Sequence, residues 1–260
     1  MPKRTHELLI KLKVKYTEIL GKNLVGIYLH GSYALNSYNE QVSDLDYIVV
    51  VKHPLCFTEK QALMKATLTD LWPLAPAKGL EFHVLLLTDT LHFKAPLPFD
   101  LHFSKMHYSA YLANPKHYIE TMVGTDPDLA AHLTILTKAG KVLTGTPIVA
   151  VFGPVPVKDY WDSILFDVAN APQTITKQPT YTVLNLCRVL AFRRSGQVLS
   201  KDAGGQWGLK HLPSNDHALI KTALIAYRGP ASRPIIQSSD ADLIAFATRM
   251  LVQIKPELPY

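Results

Sequence analysis

The chain has 260 residues, 48% of them hydrophobic and 18% charged, with a formal net charge of +6. That balance excludes a disordered chain and predicts a sizeable core, in one large domain or two of ordinary size. The basic residues are scattered and the densest cluster is the pair Arg193-Arg194, so no nucleic-acid surface is expected.

No apolar run approaches the roughly 18 residues of a membrane span, and the opening residues Met1 to Glu7 lack the apolar core of a signal peptide. A cytoplasmic protein with no membrane partner is expected. Cys56 and Cys187 fit no metal or redox spacing and read as buried free thiols. Residues 5–20 carry Leu8, Leu9, Leu12, Tyr16, Ile19 and Leu20 at helical spacing, closed by Gly21. Val25 to Leu29 reads as a buried strand ended by Gly31-Ser32. After a polar stretch, Ser43-Asp44-Leu45-Asp46-Tyr47 opens a second strand rich in β-branched residues. Residues 57–72 read as a helix, and 79–87 as a third strand behind a glycine turn. Strands with helices packed over them make a small α/β sheet domain.

Residues 90–125, with His102, Met106, Tyr108 and Tyr111, read as loop-rich, either lining an acceptor pocket or simply covering the domain. Asp126-Pro127 reads as a capping aspartate and first-turn proline of a helix running to Ala139, with a short return between Gly140 and Gly145. Residues 146–157 hold three prolines and a glycine and read as a linker. Beyond them, 158–170, 180–195, 202–211, 214–227 and 240–253 read as helices. The expected organisation is an α/β domain over residues 1–157 and an all-α bundle over 158–260, without repeats or low-complexity tracts.

The chemistry concentrates at the second strand. Side chains alternate along a strand, so Asp44 and Asp46 share one face. Adjacent carboxylates repel unless a cation lies between them, and paired oxygen ligands suit Mg²⁺. Gly31 lets backbone approach a ligand closely, and Ser32 offers a hydroxyl and an N–H to phosphate oxygens. On the third strand Glu81 and His83 share a face. A glutamate in so apolar a strand is costly to bury alone; beside Asp44 and Asp46 it becomes the third carboxylate of a metal and acid–base site. His83, deeper in the apolar run, reads as structural or supporting.

Gly31-Ser32, eleven residues and then Asp44-x-Asp46 resembles the signature of the polymerase β-type nucleotidyltransferases. The second half narrows the likeness. Val183-Leu-Asn-Leu-Cys-Arg188, Ser195-Gly196, Ser200-Lys201-Asp202-Ala203, Trp207, Leu212-Pro213 and Ala226-Tyr227-Arg228-Gly229 resemble the helical domain of the aminoglycoside (3'')(9) adenylyltransferases. Asp126-Pro-Asp-Leu-Ala, Lys138 and Gly145 extend the resemblance over nearly the whole chain. It implies a nucleotidyltransferase-type mixed-sheet domain followed by a helical bundle, acting as a monomer, with ATP and Mg²⁺ bound between the two. AMP would pass to an antibiotic hydroxyl with release of pyrophosphate. Asp44 and Asp46 would hold Mg²⁺, with Glu81 as general base and further metal ligand. Gly31, Ser32 and Ser43 would face the triphosphate or metal, and Arg188, Lys201 and Tyr227 would reach the phosphates.

Members of that family that accept streptomycin carry a tryptophan in the loop after the third strand and an aspartate before the Val183-type helix. Here Met106 takes the loop position, and residues 173–179 contain no acidic residue. The resemblance therefore implies spectinomycin, modified at its 9-hydroxyl, as the aminocyclitol acceptor. The alternatives are another small alcohol, or a hydroxyl of a protein or RNA.

Overall fold

The computed structural model describes residues 2–229 and 238–255. The chain divides into two compact units, Met1–Tyr160 and Trp161–Tyr260. The first contains α1 (Lys3–Leu20), β1 (Leu24–Leu29), α2 (Gly31–Ala34), β2 (Leu45–Val51), α3 (Phe57–Ala66), β3 (Leu80–Leu86), α4 (Leu87–Leu91), β4 (Leu97–Phe99) and β5 (Leu101–Phe103). It continues with α5 (Tyr108–Ala113), α6 (Pro115–Thr121), β6 (Gly124–Asp126), α7 (Leu129–Ala139) and β7 (Lys141–Gly145). Five strands form a mixed sheet in the order β5-β3-β2-β1-β7, and β4 pairs with β6 apart from it. Among the described residues of this sheet, β2 with β3 is the one parallel pair.

Alternation along the strands divides the core. Ile27, Leu29, Tyr47, Val49, Phe82 and Val84 face α1 and α3, where they meet Leu8, Leu12, Tyr16, Leu63 and Met64. Tyr28, Ile48, Val50 and Leu85 face the other way, onto Leu129, Leu133 and Leu136 of α7. Helix α1 has no side-chain cap and no acidic residue in its first turn. Its stability therefore comes from burial, worth about 1.5–3 kcal/mol for each fully covered leucine. Within that layer the Tyr16 hydroxyl lies 3.0 Å from the Tyr47 hydroxyl and 2.8 Å from Thr67 Oγ1, so the buried polar tips satisfy one another.

The stretch 90–125 is more structured than its sequence suggests. Strand β5 pairs antiparallel with β3, placing His102 opposite His83 and Phe103 opposite Phe82. A buried ion pair anchors the turn before it: Lys60 Nζ lies 3.0 Å from Asp100 Oδ1, and Asp100 Oδ2 accepts from the Leu55 N–H at 2.8 Å. Asp126 does not cap a helix. It ends β6, its Oδ1 accepts from the Asp128 N–H at 2.8 Å, and α7 begins only at Leu129. The return after Gly140 is the edge strand β7.

Residues 146–152 are not a free connection. Thr146 N donates to Val25 O, Tyr28 Oη donates to Thr146 O, and Val151 and Phe152 are buried against the α7 layer. Apolar Ile148, Val151 and Phe152 between the prolines decide this, since their burial outweighs the local preference for open chain. Cys187 is buried as expected, whereas Cys56 is exposed just before α3.

Helix α8 (Val157–Val168) crosses the boundary between the units. The second unit adds α9 (Ala171–Thr174), α10 (Pro179–Ser195), α11 (Lys201–His211), α12 (Ser214–Arg228) and α13 (Asp240–Ile254). Helix α10 is central, with Thr182 to Cys187 and Val189 to Phe192 buried. Ser200 caps α11, its Oγ accepting from the Ala203 N–H at 3.1 Å. The architecture is the mixed-sheet domain followed by helices that the motifs imply. Among the described residues, no helix is long and apolar enough to cross a membrane.

Candidate active site

The α7 face of the sheet turns polar at the end where β1 finishes and β2 and β3 begin. Asp46 and Glu81 are register partners across the parallel pair, so their side chains project from the same face side by side. Asp44 stands just before β2. One carboxylate oxygen from each of Asp44, Asp46 and Glu81 falls within 4.8 Å of the others. The sequence therefore places these three together correctly, and the parallel register makes it so.

Gly31 follows β1 with φ +57°, and a Cβ built there would lie 1.8 Å from Asp46 Oδ2. The Asp46 carboxylate occupies the space a side chain would need. Ser32, next in the chain, has its Oγ buried without a hydrogen-bond partner. Ser43 is buried, and its Oγ accepts from the Asn39 N–H at 3.1 Å. Its side chain thus shapes the loop leading to Asp44.

Histidines surround the carboxylates. His30, His83, His102, His107 and His132 form a continuous set of ring contacts, with His83 and His102 stacked at 3.8 Å and 13°. His83 Nε2 donates to Asp126 Oδ2 at 3.0 Å. Burial pushes His83 down to about 4, against the pull of Asp126, and burial likewise holds His30 well below the ordinary imidazole range. Burial acts to raise the Glu81 carboxyl, but the contact with His102 and the histidines around it outweigh burial and lower it to about 2. Glu81 is therefore ionised at neutral pH, able to accept a proton or face a cation. His102 Nε2 lies 3.6 Å from Glu81 Oε1, beyond hydrogen-bond range.

Three oxygen donors of this kind suit Mg²⁺, a hard cation, and the missing Cβ of Gly31 leaves the Asp46 carboxylate room. Apart from His83, which alternation puts on the face of Glu81, the histidines could not be read as part of this site from spacing. His102 falls in a loop-like stretch, and His30 and His132 gain meaning only when β1 and α7 lie against β3.

In the helical unit Arg188 and Lys201 occupy facing helices. Asn185, fully buried, donates to Asp167 Oδ2 at 2.5 Å and accepts from Arg188 Nε. Arg188 Nη2 lies 3.6 Å from Asp167 Oδ2, and the Tyr181 hydroxyl donates to Asp167 Oδ1 at 2.8 Å. Lys201 Nζ sits 4.6 Å above the Tyr181 ring. Tyr227 lies half-buried on α12, beside Arg228, which pairs with Asp202. The sequence misses Asp167. Residues 173–179 contain no acidic residue, but Asp167 of α8 reaches Tyr181, Asn185 and Arg188 on α10.

Family models match both parts of the chain: a nucleotidyltransferase domain over residues 13–102 and the C-terminal domain of aminoglycoside adenylyltransferase over residues 150–253. An aminoglycoside (3'')(9) adenylyltransferase of Klebsiella pneumoniae is 24% identical over 242 residues, covering 87% of this chain and 89% of that one. A spectinomycin 9-adenylyltransferase of Staphylococcus aureus is 24% identical over 219 residues, covering 82% and 81%. The spectinomycin adenyltransferase of Enterococcus faecalis, solved with ATP and spectinomycin, matches with a TM-score of 0.80 at 20% identity. That match covers 96% of this chain and 99% of the other, a likeness of fold. With carboxylates on neighbouring strands after a Gly-Ser turn, the chain joins a nucleotidyltransferase domain to the C-terminal domain of the aminoglycoside adenylyltransferases.

Proposed function

We propose that this nucleotidyltransferase moves AMP from ATP to the 9-hydroxyl of spectinomycin, releasing pyrophosphate and conferring resistance. The observation that carries this reading is the convergence of Asp44, Asp46 and Glu81 within 4.8 Å beside the Gly31-Ser32 turn. Asp44 and Asp46, with Glu81, would hold Mg²⁺, which when bound offsets phosphate charge. The acceptor oxygen forms a bond to the α-phosphorus of ATP as the bond to pyrophosphate breaks. Glu81, ionised at neutral pH, takes the hydroxyl proton. Gly31, Ser32 and Ser43 are assigned to the triphosphate. Arg188, Lys201 and Tyr227 are assigned to phosphate contacts from the helical unit, where they supply two cations and a hydroxyl.

The acceptor is chosen on two features besides the relatives. Met106 is 89% exposed where streptomycin-accepting members carry a tryptophan, so no aromatic face is offered there. Asp167, the carboxylate that reaches α10, is already engaged there by Tyr181, Asn185 and Arg188. A cationic streptomycin would lack both a stacking face and a free counter-charge.

Pyrophosphate release across a panel of aminocyclitols tests the proposal. Spectinomycin should support turnover with ATP and Mg²⁺, streptomycin should not, and EDTA should abolish it. Asp44→Asn and Asp46→Asn should stay folded and lose transfer. Glu81→Gln should slow transfer by about a hundred- to ten-thousandfold while still binding ATP. Near-normal turnover in any of the three variants would overturn the site. Turnover only with another alcohol, a protein or RNA would overturn the acceptor and leave the chemistry standing.

A further inference from the structure

We infer that His102 is a positioning residue for Glu81, and that the His83–Asp126 pair is the brace that fixes His102. The inference rests on reading Glu81 as the group that takes the acceptor's proton.

Strand pairing sets the arrangement. Glu81 and His83 alternate onto one face of β3, and antiparallel pairing puts His102 of β5 directly opposite His83. The His102 ring is held on every side that matters. It stacks on His83 at 3.8 Å, meets Phe99 edgewise at 5.7 Å, and meets His107 edgewise at 4.8 Å. Its backbone carbonyl accepts from the Tyr118 hydroxyl at 2.6 Å. His83 is itself fixed, 1% exposed and donating through Nε2 to Asp126, whose second oxygen is held by the Asp128 N–H. A ring so confined cannot turn its Nε2 elsewhere. That nitrogen is buried, makes no hydrogen bond, and faces Glu81 Oε1 across 3.6 Å. A small movement of the glutamate closes that gap to a charge-assisted hydrogen bond, and the ring limits where the carboxylate can go.

A metal held by the histidines is the rival use of the same atoms, since His83, His102 and Asp126 also bring ligand atoms within 4.8 Å. The ring planes argue against it. Imidazole lone pairs lie in the ring plane, and two rings stacked 13° from parallel direct them side by side, so they cannot converge on one ion. His83 Nε2 is moreover spent on Asp126.

The test is a double-mutant cycle read by steady-state pyrophosphate release, with ATP affinity measured by calorimetry. His102→Leu fills the volume without a donor and should lower kcat by about tenfold or more. Its KM and its calorimetric Kd for ATP should stay within about twofold of wild type. His102→Gln, whose amide nitrogen reaches a similar point, should recover kcat to within about threefold of wild type. In the Glu81→Gln background, His102→Leu should change the residual rate by less than about twofold, because its effect passes through Glu81. An equal loss in both backgrounds, or a His102→Leu enzyme with wild-type kcat, overturns the inference while Glu81 keeps its role. Normal turnover in Glu81→Gln alone overturns the inference together with the reading beneath it.

Discussion

Replacing Gly31 by alanine tests how the Asp46 carboxylate is placed. A Cβ there would stand 1.8 Å from Oδ2 and 2.7 Å from Cγ of Asp46, with backbone φ at +57°. A Cβ does not come within 3.0 Å of a non-bonded heavy atom, so the carboxylate must retreat by about 1.2 Å. A shift of that size in a reacting group costs about a hundredfold in rate. The left-handed backbone adds about 1–2 kcal/mol of strain, lowering Tm by about 2–8 °C. Gly21 supplies the control, since its φ is +48° but no atom lies within 4 Å of its added Cβ. Gly31→Ala and Gly21→Ala should therefore lose similar stability in thermal melts. Only Gly31→Ala should lose AMP transfer, measured as pyrophosphate release at saturating ATP. Equal turnover in the two variants would refute the collision argument, because strain alone would then account for both.

Lys60→Met should destabilise the protein by about 3–5 kcal/mol in urea titration, because it strands the buried Asp100 charge; a loss below about 1 kcal/mol would show the pair to be dispensable. Tyr16→Phe should cost about 1–3 kcal/mol, since Tyr47 and Thr67 lose a shared partner, while kcat stays at the wild-type value. Asn185→Leu should cost a similar amount by leaving Asp167 and Arg188 without the amide between them, and unchanged stability would show that network to be redundant.

Much of the first unit was legible because its signals are local. Period-two alternation in Leu45–Val51 and Leu80–Leu86 assigns Asp46 and Glu81 to a face, and the motif spacing puts Gly31 beside them. What the spacing could not supply was pairing at a distance. Leu101-His102-Phe103 is a three-residue strand, too short for a periodic signal, and it becomes a strand only through Phe103 packing beside Phe82. Asp126 reads as a cap in isolation, because Asp-Pro is a common helix opening; the buried His83 claims its carboxylate instead. Asp167 was missed for a related reason. Its partners Tyr181 and Asn185 are 14 and 18 residues away, on another helix.

The tucked segment after β7 limits where evolution could join one sheet unit to a different helical one. Val151 and Phe152 complete the layer over α7, and the Gly153 N–H is held by Thr90 O at 2.8 Å. A crossover placed at Gly145, the visible end of the last strand, would set another relative's side chains at positions 151 and 152 against Leu129, Leu133 and Leu136 and loosen that layer. Recombination between relatives should therefore be tolerated best beyond Gly153, in the few residues before α8 begins at Val157. Exchange of helical units, and with them of the partners of Arg188 and Lys201, should leave scars in that narrow interval. Junctions at the proline-marked start of the segment should be selected against.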